Sequence, residues 1–136
     1  MRITFEELAI NIAKCASERS EDQHRKVGCC VMNKEGRILS IGYNGLKPKQ
    51  KMSKSFWENR EERRKYVIHA EMNALACINK YDKPFILACT LLPCSCCAKV
   101  IVSMGIEKIL YIDEYDLDST SKDIFKFHKI KLQKFN

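Results

Sequence analysis

His69-Ala70-Glu71 and, downstream, Pro93-Cys94-Ser95-Cys96-Cys97 hold the side chains of this sequence best suited to act together on a substrate. One imidazole and two thiolates make a donor set for a zinc ion that keeps a fourth position open for water, as catalytic zinc sites do. Cys94 and Cys97 are three residues apart at an expected helix start, so their sulfurs converge on one point and the helix dipole favours thiolate. Pro93 fixes the chain direction into that turn, where its missing amide hydrogen costs nothing. Glu71 is left as a carboxylate outside the ligand set, placed to move protons. A metal that brings the pKa of water down to about 7, beside such a carboxylate, describes hydrolysis. His69 and Glu71 are two apart and diverge on a regular helix, so they share a site only if His69 stands at a ragged first turn, partly outside the helix.

Each half alone says little. H-x-E is common, and C-x-x-C also serves structural zinc sites and redox pairs. Together, with proline leading the cysteines, they point to one catalytic Zn2+ per subunit held by His69, Cys94 and Cys97. Cys96 offers a competing thiolate, but adjacent cysteines chelate poorly and the Cys94–Cys97 spacing fits. Cys15, Cys29, Cys30, Cys77 and Cys89 fall in apolar stretches and are expected as buried small hydrophobes. His128 reads as structural. His24, with Arg25 and Lys26 just before a strand, is a candidate phosphate contact.

The elements that must position these groups follow from periodicity. Thr4-Phe5-Glu6-Glu7 is a capping box opening a helix from about Phe5 to Arg19, with Phe5, Leu8, Ile12 and Cys15 at helical spacing and Ala9, Ala13 and Ala16 beside them. Val27–Met32 and Arg37–Tyr43 read as a hairpin across Asn33-Lys34-Glu35-Gly36, closed by Gly42-Tyr43-Asn44-Gly45, residues tolerant of positive φ. Residues 46–55 are a lysine-rich loop, 56–66 a short exposed helix and 68–78 a buried helix. Phe85–Leu91 is a central strand, Cys94–Met104 a helix stopped by Gly105, Ile109–Ile112 a strand, Ser119–His128 a helix and Ile130–Phe135 an edge strand. Alternation of strand and helix implies parallel pairing and the hairpin adds an antiparallel member. The expected fold is α/β: a three-layer α-β-α sandwich with a mixed five-stranded sheet, its last two strands parallel.

At 136 residues, with 46% hydrophobic and 30% charged residues, the sequence suits one soluble domain spanning residues 1–136. No apolar run approaches the roughly 20 residues of a membrane helix. The N-terminus lacks a signal-peptide core and reads as the start of the fold, so eight cysteines imply reduced thiols in the cytoplasm. A net charge of +7 favours an anionic partner, either nucleic acid or a phosphorylated small molecule, unless it is simply a solvated surface. Phe56-Trp57 near Arg60, Arg63 and Arg64 is the one candidate for base stacking on a strand.

H-x-E followed by P-C-x-x-C is the signature of zinc nucleobase deaminases, and the rest of the chain resembles the deoxycytidylate (dCMP) deaminase family. The resemblance rests on Ser17-Glu18-Arg19-Ser20, Lys26-Val27-Gly28, Gly42-Tyr43-Asn44-Gly45, His69 to Ala74, Pro93 to Val102, Gly105-Ile106 and Tyr111 to Tyr115. It implies a cytidine deaminase-like fold and hydrolysis of dCMP to dUMP and ammonia, which supplies dUMP for thymidylate synthesis. It also implies a homo-oligomer, often a hexamer. By the same resemblance Asn44 lies near the deoxyribose, the Ala70 main chain by the pyrimidine, and Tyr115 with His24 or Arg25 near the 5′-phosphate. The family's Cys/Asp-rich stretch after the Gly-Tyr-Asn-Gly turn, tied to triphosphate regulation and sometimes a second zinc, is replaced by Leu46-Lys47-Pro48-Lys49-Gln50-Lys51-Met52. This departure argues against control by dCTP and dTTP and against a second metal, and leaves the phosphorylation state of the substrate open, so that a deaminase of another cytosine nucleotide such as dCTP is one alternative; the positive charge makes a polynucleotide-editing cytosine or adenine deaminase the other. A zinc module without catalysis would have no need of Glu71.

Overall fold

The computed structural model describes residues 1–115 and 120–136. Helix α1 (Phe5–Ser17) opens on the expected capping box: Thr4 Oγ1 accepts the Glu7 amide at 3.0 Å and the Glu7 carboxylate accepts the Thr4 amide at 3.1 Å. Strands β1 (Gly28–Met32) and β2 (Ile38–Tyr43) form the hairpin, its turn held by the Asn33 side chain accepting the Glu35 and Arg37 amides. Then come α2 (Lys54–Glu58), α3 (Arg60–Tyr66), α4 (Ala70–Leu75), a 3-10 turn at Lys80–Asp82, β3 (Ile86–Leu91), α5 (Ser95–Ser103), β4 (Lys108–Asp113), α6 (Thr120–Phe127) and β5 (Lys131–Lys134). Ser119, expected at the head of α6, lies outside the described residues.

The sheet order is β2-β1-β3-β4-β5, with β1 antiparallel to both β2 and β3, and with β3–β4 and β4–β5 parallel. The mixed five-stranded sheet with its last two strands parallel is therefore as expected. Strand alternation divides the core in two. Cys30, Met32, Ile86, Ala88 and Leu110 face α1, while Cys29, Val31, Leu87, Cys89, Ile109 and Tyr111 face the layer of α4, α5 and α6. Leu87, Ile101, Ile106 and Ile109 are fully buried, each stabilising the fold by roughly 1.5–3 kcal/mol.

Several expectations are corrected. The buried stripe of α1 is Ala9, Ile10, Ala13 and Ala16, whereas Phe5 and Cys15 are exposed. The reason is close approach: a Cβ on Gly28 would lie 1.9 Å from the Ala13 carbonyl, so the helix backbone rides directly on β1 and small residues are favoured at that crossing. Cys77, past the end of α4, is exposed too. The 56–66 segment is two helices, because Asn59 leaves the helical region (φ −90°, ψ 107°) to cap α3 through its side chain, which accepts the Glu62 amide at 3.1 Å. None of Gly42, Tyr43, Asn44 and Gly45 has positive φ. Gly42 is required by space instead: its Cβ would meet the Ala70 carbonyl oxygen at 2.5 Å and the Ala74 nitrogen at 2.6 Å. That glycine lets α4 lie flat on β2, where Asn73 Nδ2 donates to the Tyr43 carbonyl at 2.8 Å.

Candidate active site

Two helix starts converge at one end of the central strands. A bridge between Gly45 and Ile68, with N–H···O distances of 3.0 and 2.8 Å, ties the end of β2 to the residue before His69. His69 is then the N-cap of α4, extended at φ −68° and ψ 151°, which is the ragged first turn the sequence required. Glu71 follows in the first turn. Cys94 is the N-cap of α5 (φ −72°, ψ 171°), and Cys97 lies inside its first turn. Extended caps aim the His69 and Cys94 side chains forward of their helices rather than around them.

His69 Nδ1 lies 3.4 Å from Cys97 Sγ and 3.6 Å from Cys94 Sγ, and the three donor atoms fall within 4.8 Å of one another. Tetrahedral bonds of about 2.05 Å to nitrogen and 2.3 Å to sulfur separate the two atoms by about 3.6 Å. The residues present therefore fit zinc. No fourth His, Cys, Asp or Glu joins the cluster among the described residues, so a position stays open. Cys96 is exposed and outside it. The Cys97 thiol hydrogen bonds to Cys94 and, with His69, pulls Cys94 down to about 4, whereas the bond to Cys94 pushes Cys97 up. The Cys94 hydrogen bond raises His69. A bound cation holds both thiols deprotonated.

Glu71 is 4% exposed, and burial pushes its carboxyl above the usual range, opposed by backbone hydrogen bonding, by His69 and by a hydrogen bond with Cys89. A carboxyl of raised pKa, next to a water-activating site, can take a proton and give it back. Beneath it, Cys29 and Cys89 are cross-strand partners, fully buried and raised by desolvation, so they serve as packing rather than as ligands.

A small inner cavity of about 60 Å³ is lined by His69, Ala70, Glu71, Cys94, Leu92 and Asn44 among others. It opens beside a wider cavity of about 540 Å³ whose wall includes His24, Arg25, Asn44, His69 and Tyr115. Eight of the nine residues singled out in the sequence thus line one or both cavities, and the ninth, Cys97, is buried behind them as a donor of the cluster. Asn44 is also a structural clasp: its Oδ1 accepts the Val27 amide and its Nδ2 donates to the Arg25 carbonyl, both at 2.8 Å. One Nδ2 hydrogen remains for a ligand. Arg25 stacks over the Tyr115 ring, 5.2 Å from its centroid. The sequence reading missed Asp22, Arg60, Arg63 and Arg64 as wall residues. The available signal was their spacing: three arginines at i, i+3 and i+4 share one helix face. The stacking candidate is turned inward instead, with Phe56 buried and Trp57 packed edge-on to it at 5.2 Å.

A mixed α/β sheet carrying this cluster and a buried carboxylate beside its open position defines a zinc-dependent deaminase. The chain belongs to the cytidine and deoxycytidylate deaminase family, whose zinc-binding region matches residues 3–113. Deoxycytidylate deaminases of Mus musculus and Homo sapiens are each 30% identical to it, over 98% of this chain and 80% of theirs. The crystal structure of the dCMP deaminase from cyanophage S-TIM5 in complex with dCMP and dUMP superposes with a TM-score of 0.78 at 26% identity, covering 99% of both chains.

Proposed function

We propose that this protein hydrolyses dCMP to dUMP and ammonia, through a single domain of residues 1–136. The observation that carries the reading is Glu71: a buried carboxyl against the one cluster of potential metal donors among the described residues. A zinc ion on His69, Cys94 and Cys97 supplies the Lewis acidity that makes water a nucleophile near neutral pH. Glu71 takes the proton of the attacking water and passes it to the ring nitrogen beside the carbon under attack. It then takes the remaining proton from the hydroxyl of the tetrahedral adduct and hands it to the departing amino group as the C–N bond breaks and the carbonyl forms, so one water is consumed and one ammonia leaves. The Ala70 main chain, at 0% exposure, forms the floor for the pyrimidine, and the free Asn44 Nδ2 hydrogen faces the sugar. His24, Arg25 and the Tyr115 hydroxyl meet the 5′-phosphate, where a cation and an O–H donor suit a dianion.

We also place the enzyme in a reducing, cytoplasmic compartment, which its eight free cysteines support. No helix among the described residues is long and apolar enough to cross a membrane. A homo-oligomer is consistent with Ile38 and Ile41, 45% and 50% exposed on the edge strand β2. Ammonia release from dCMP, CMP, deoxycytidine and a cytosine oligonucleotide tests the substrate. dCMP is expected to lead deoxycytidine by at least about tenfold in kcat/KM, since a charge-assisted phosphate contact is worth more than 1.4 kcal/mol. Activity on the oligonucleotide alone rejects the reading. Removing the metal with a chelator is expected to abolish turnover and lower Tm while far-UV circular dichroism persists, because the cluster under α1 holds no donor residue and the other takes only Cys97, with Cys94 at its edge, from the donor site.

A further inference from the structure

The wide cavity carries more positive charge than the proposed substrate uses. Its wall holds four guanidinium groups, from Arg25, Arg60, Arg63 and Arg64, against the single carboxylate of Asp22, a surplus of three among the described residues, besides His24. A monoester phosphate brings only about −1.5 to −2.

Two of these groups are accounted for by the architecture. Asp22 Oδ1 accepts the amides of His24 at 2.9 Å and Arg25 at 3.3 Å, which shapes the loop leading to β1. Arg63 lies 3.9 Å from the same oxygen, donates to the Trp57 carbonyl at 2.6 Å, and is largely buried. The Asp22–Arg63 pair therefore clamps α3 against the phosphate-side loop. Arg25 is held over Tyr115. Arg60 and Arg64 remain, one turn apart on the cavity face of α3, exposed and without a side-chain hydrogen bond or ion pair among the described residues. Surface arginines normally scatter, whereas these two are aimed into a concavity continuous with the catalytic cluster, in which His69, Asn44 and Tyr115 take part as well. Inside such a concavity the field of like charges adds up and is screened less than on an open surface.

We propose that Arg60 and Arg64 bind phosphate groups beyond the first, so that the site takes deoxycytidine di- and triphosphates as well as the monophosphate. This rests on the dCMP reading above for the orientation of the nucleotide. Its base enters the inner cavity, its first phosphate reaches Arg25 and Tyr115, and a longer chain continues along α3. A single-stranded polynucleotide would use the same charge but needs an aromatic platform for each further base. Tyr115, already covered by Arg25, is the lone Phe, Tyr or Trp on this wall among the described residues.

The test is calorimetric binding of dCMP, dCDP and dCTP to the zinc-loaded protein and to an Arg60→Gln/Arg64→Gln variant, with ammonia release followed in parallel. The wild type is expected to bind dCTP about tenfold more tightly than dCMP, with each charge-assisted contact contributing about threefold in this solvent-accessible setting. In the variant that preference is expected to vanish while dCMP affinity falls less than about threefold. The variant stays folded because both side chains are exposed and the Asp22–Arg63 clamp is untouched. Equal wild-type affinities for dCMP and dCTP overturn the proposal, as does a preference that survives in the variant. A loss of dCMP and dCTP binding alike also overturns it, assigning the two arginines to the first phosphate. A cytosine oligonucleotide binding more tightly than dCTP overturns it in favour of a strand. Binding as expected, with no ammonia from any cytosine nucleotide, supports the polyphosphate site and rejects the dCMP reading instead.

Discussion

The inner and outer halves of the site are built in opposite ways. The metal end stands on the caps of α4 and α5 over the central strands, where Ala70, Ala74, Cys97 and Ala98 are almost completely buried. The proposed phosphate end stands on the Asp22–Arg25 loop and the seven-residue α3, none of whose residues is fully buried. The first is positioned by packing, the second by hydrogen bonds and charge. Bond-making chemistry tolerates little positional error and is given the rigid support. Phosphate recognition, driven by long-range Coulomb attraction, tolerates the looser one.

That contrast can be broken at its strongest point first. Replacing Glu71 by Gln should lower kcat by about 10²–10⁴ while the protein retains one zinc per chain, measured by metal analysis beside steady-state kinetics. Because the native carboxyl is buried and its pKa raised, the Gln variant should also be at least as stable to urea. Unchanged turnover would remove Glu71 from the chemistry.

A smaller effect probes the packing itself. Gly42→Ala should destabilise by about 1–3 kcal/mol, since the added methyl meets the α4 backbone rather than a movable side chain. Shifting α4 carries His69 with it, so zinc affinity and kcat should fall together while charge at the mouth is unaltered. A fully stable, fully active Gly42→Ala protein would show that the inner half is not set by this close approach.

The smallest effect lies away from both halves and serves as their control. Lys108 Nζ, 2.9 Å from Glu6 Oε2, holds the Glu6 carboxyl below its ordinary value of 4.5. A carboxyl of lowered native pKa adds stability above its unfolded pKa and loses it as pH falls through the native one. Glu6→Gln should therefore cost a few tenths of a kcal/mol at pH 7, discounted for its partial exposure, and nothing near pH 2. Denaturant melts at the two pH values check this. An equal loss at both would assign the effect to helix capping instead of the ion pair.

Much of the site is legible in the sequence because ligand chemistry is local. A C-x-x-C at a helix start, a proline before it and a histidine two residues from a carboxylate constrain one another within a few residues, and the extended backbone at His69 is what that spacing demands. The hairpin, the parallel last strands and the capping box at Thr4 are legible for the same reason. The buried face of α1 is not. Its hydrophobic stripe through Phe5 and Cys15 outranks the alanines on periodicity, and only the close approach of Gly28 to Ala13, on the sheet face that α1 covers, reverses that order.

By itself, then, the sequence determined the donor set, the carboxylate and the order of elements, all of which depend on neighbours along the chain. Only the tertiary structure decided that α3, read as a charged surface helix, forms part of the wall of the wide cavity. Residues 60 and 64 are brought beside residues 24 and 25 by the Asp22–Arg63 clamp, a pairing some forty residues apart that no periodicity records. Local chemistry is written in spacing, whereas the summed field of a cavity exists only once distant charges share it.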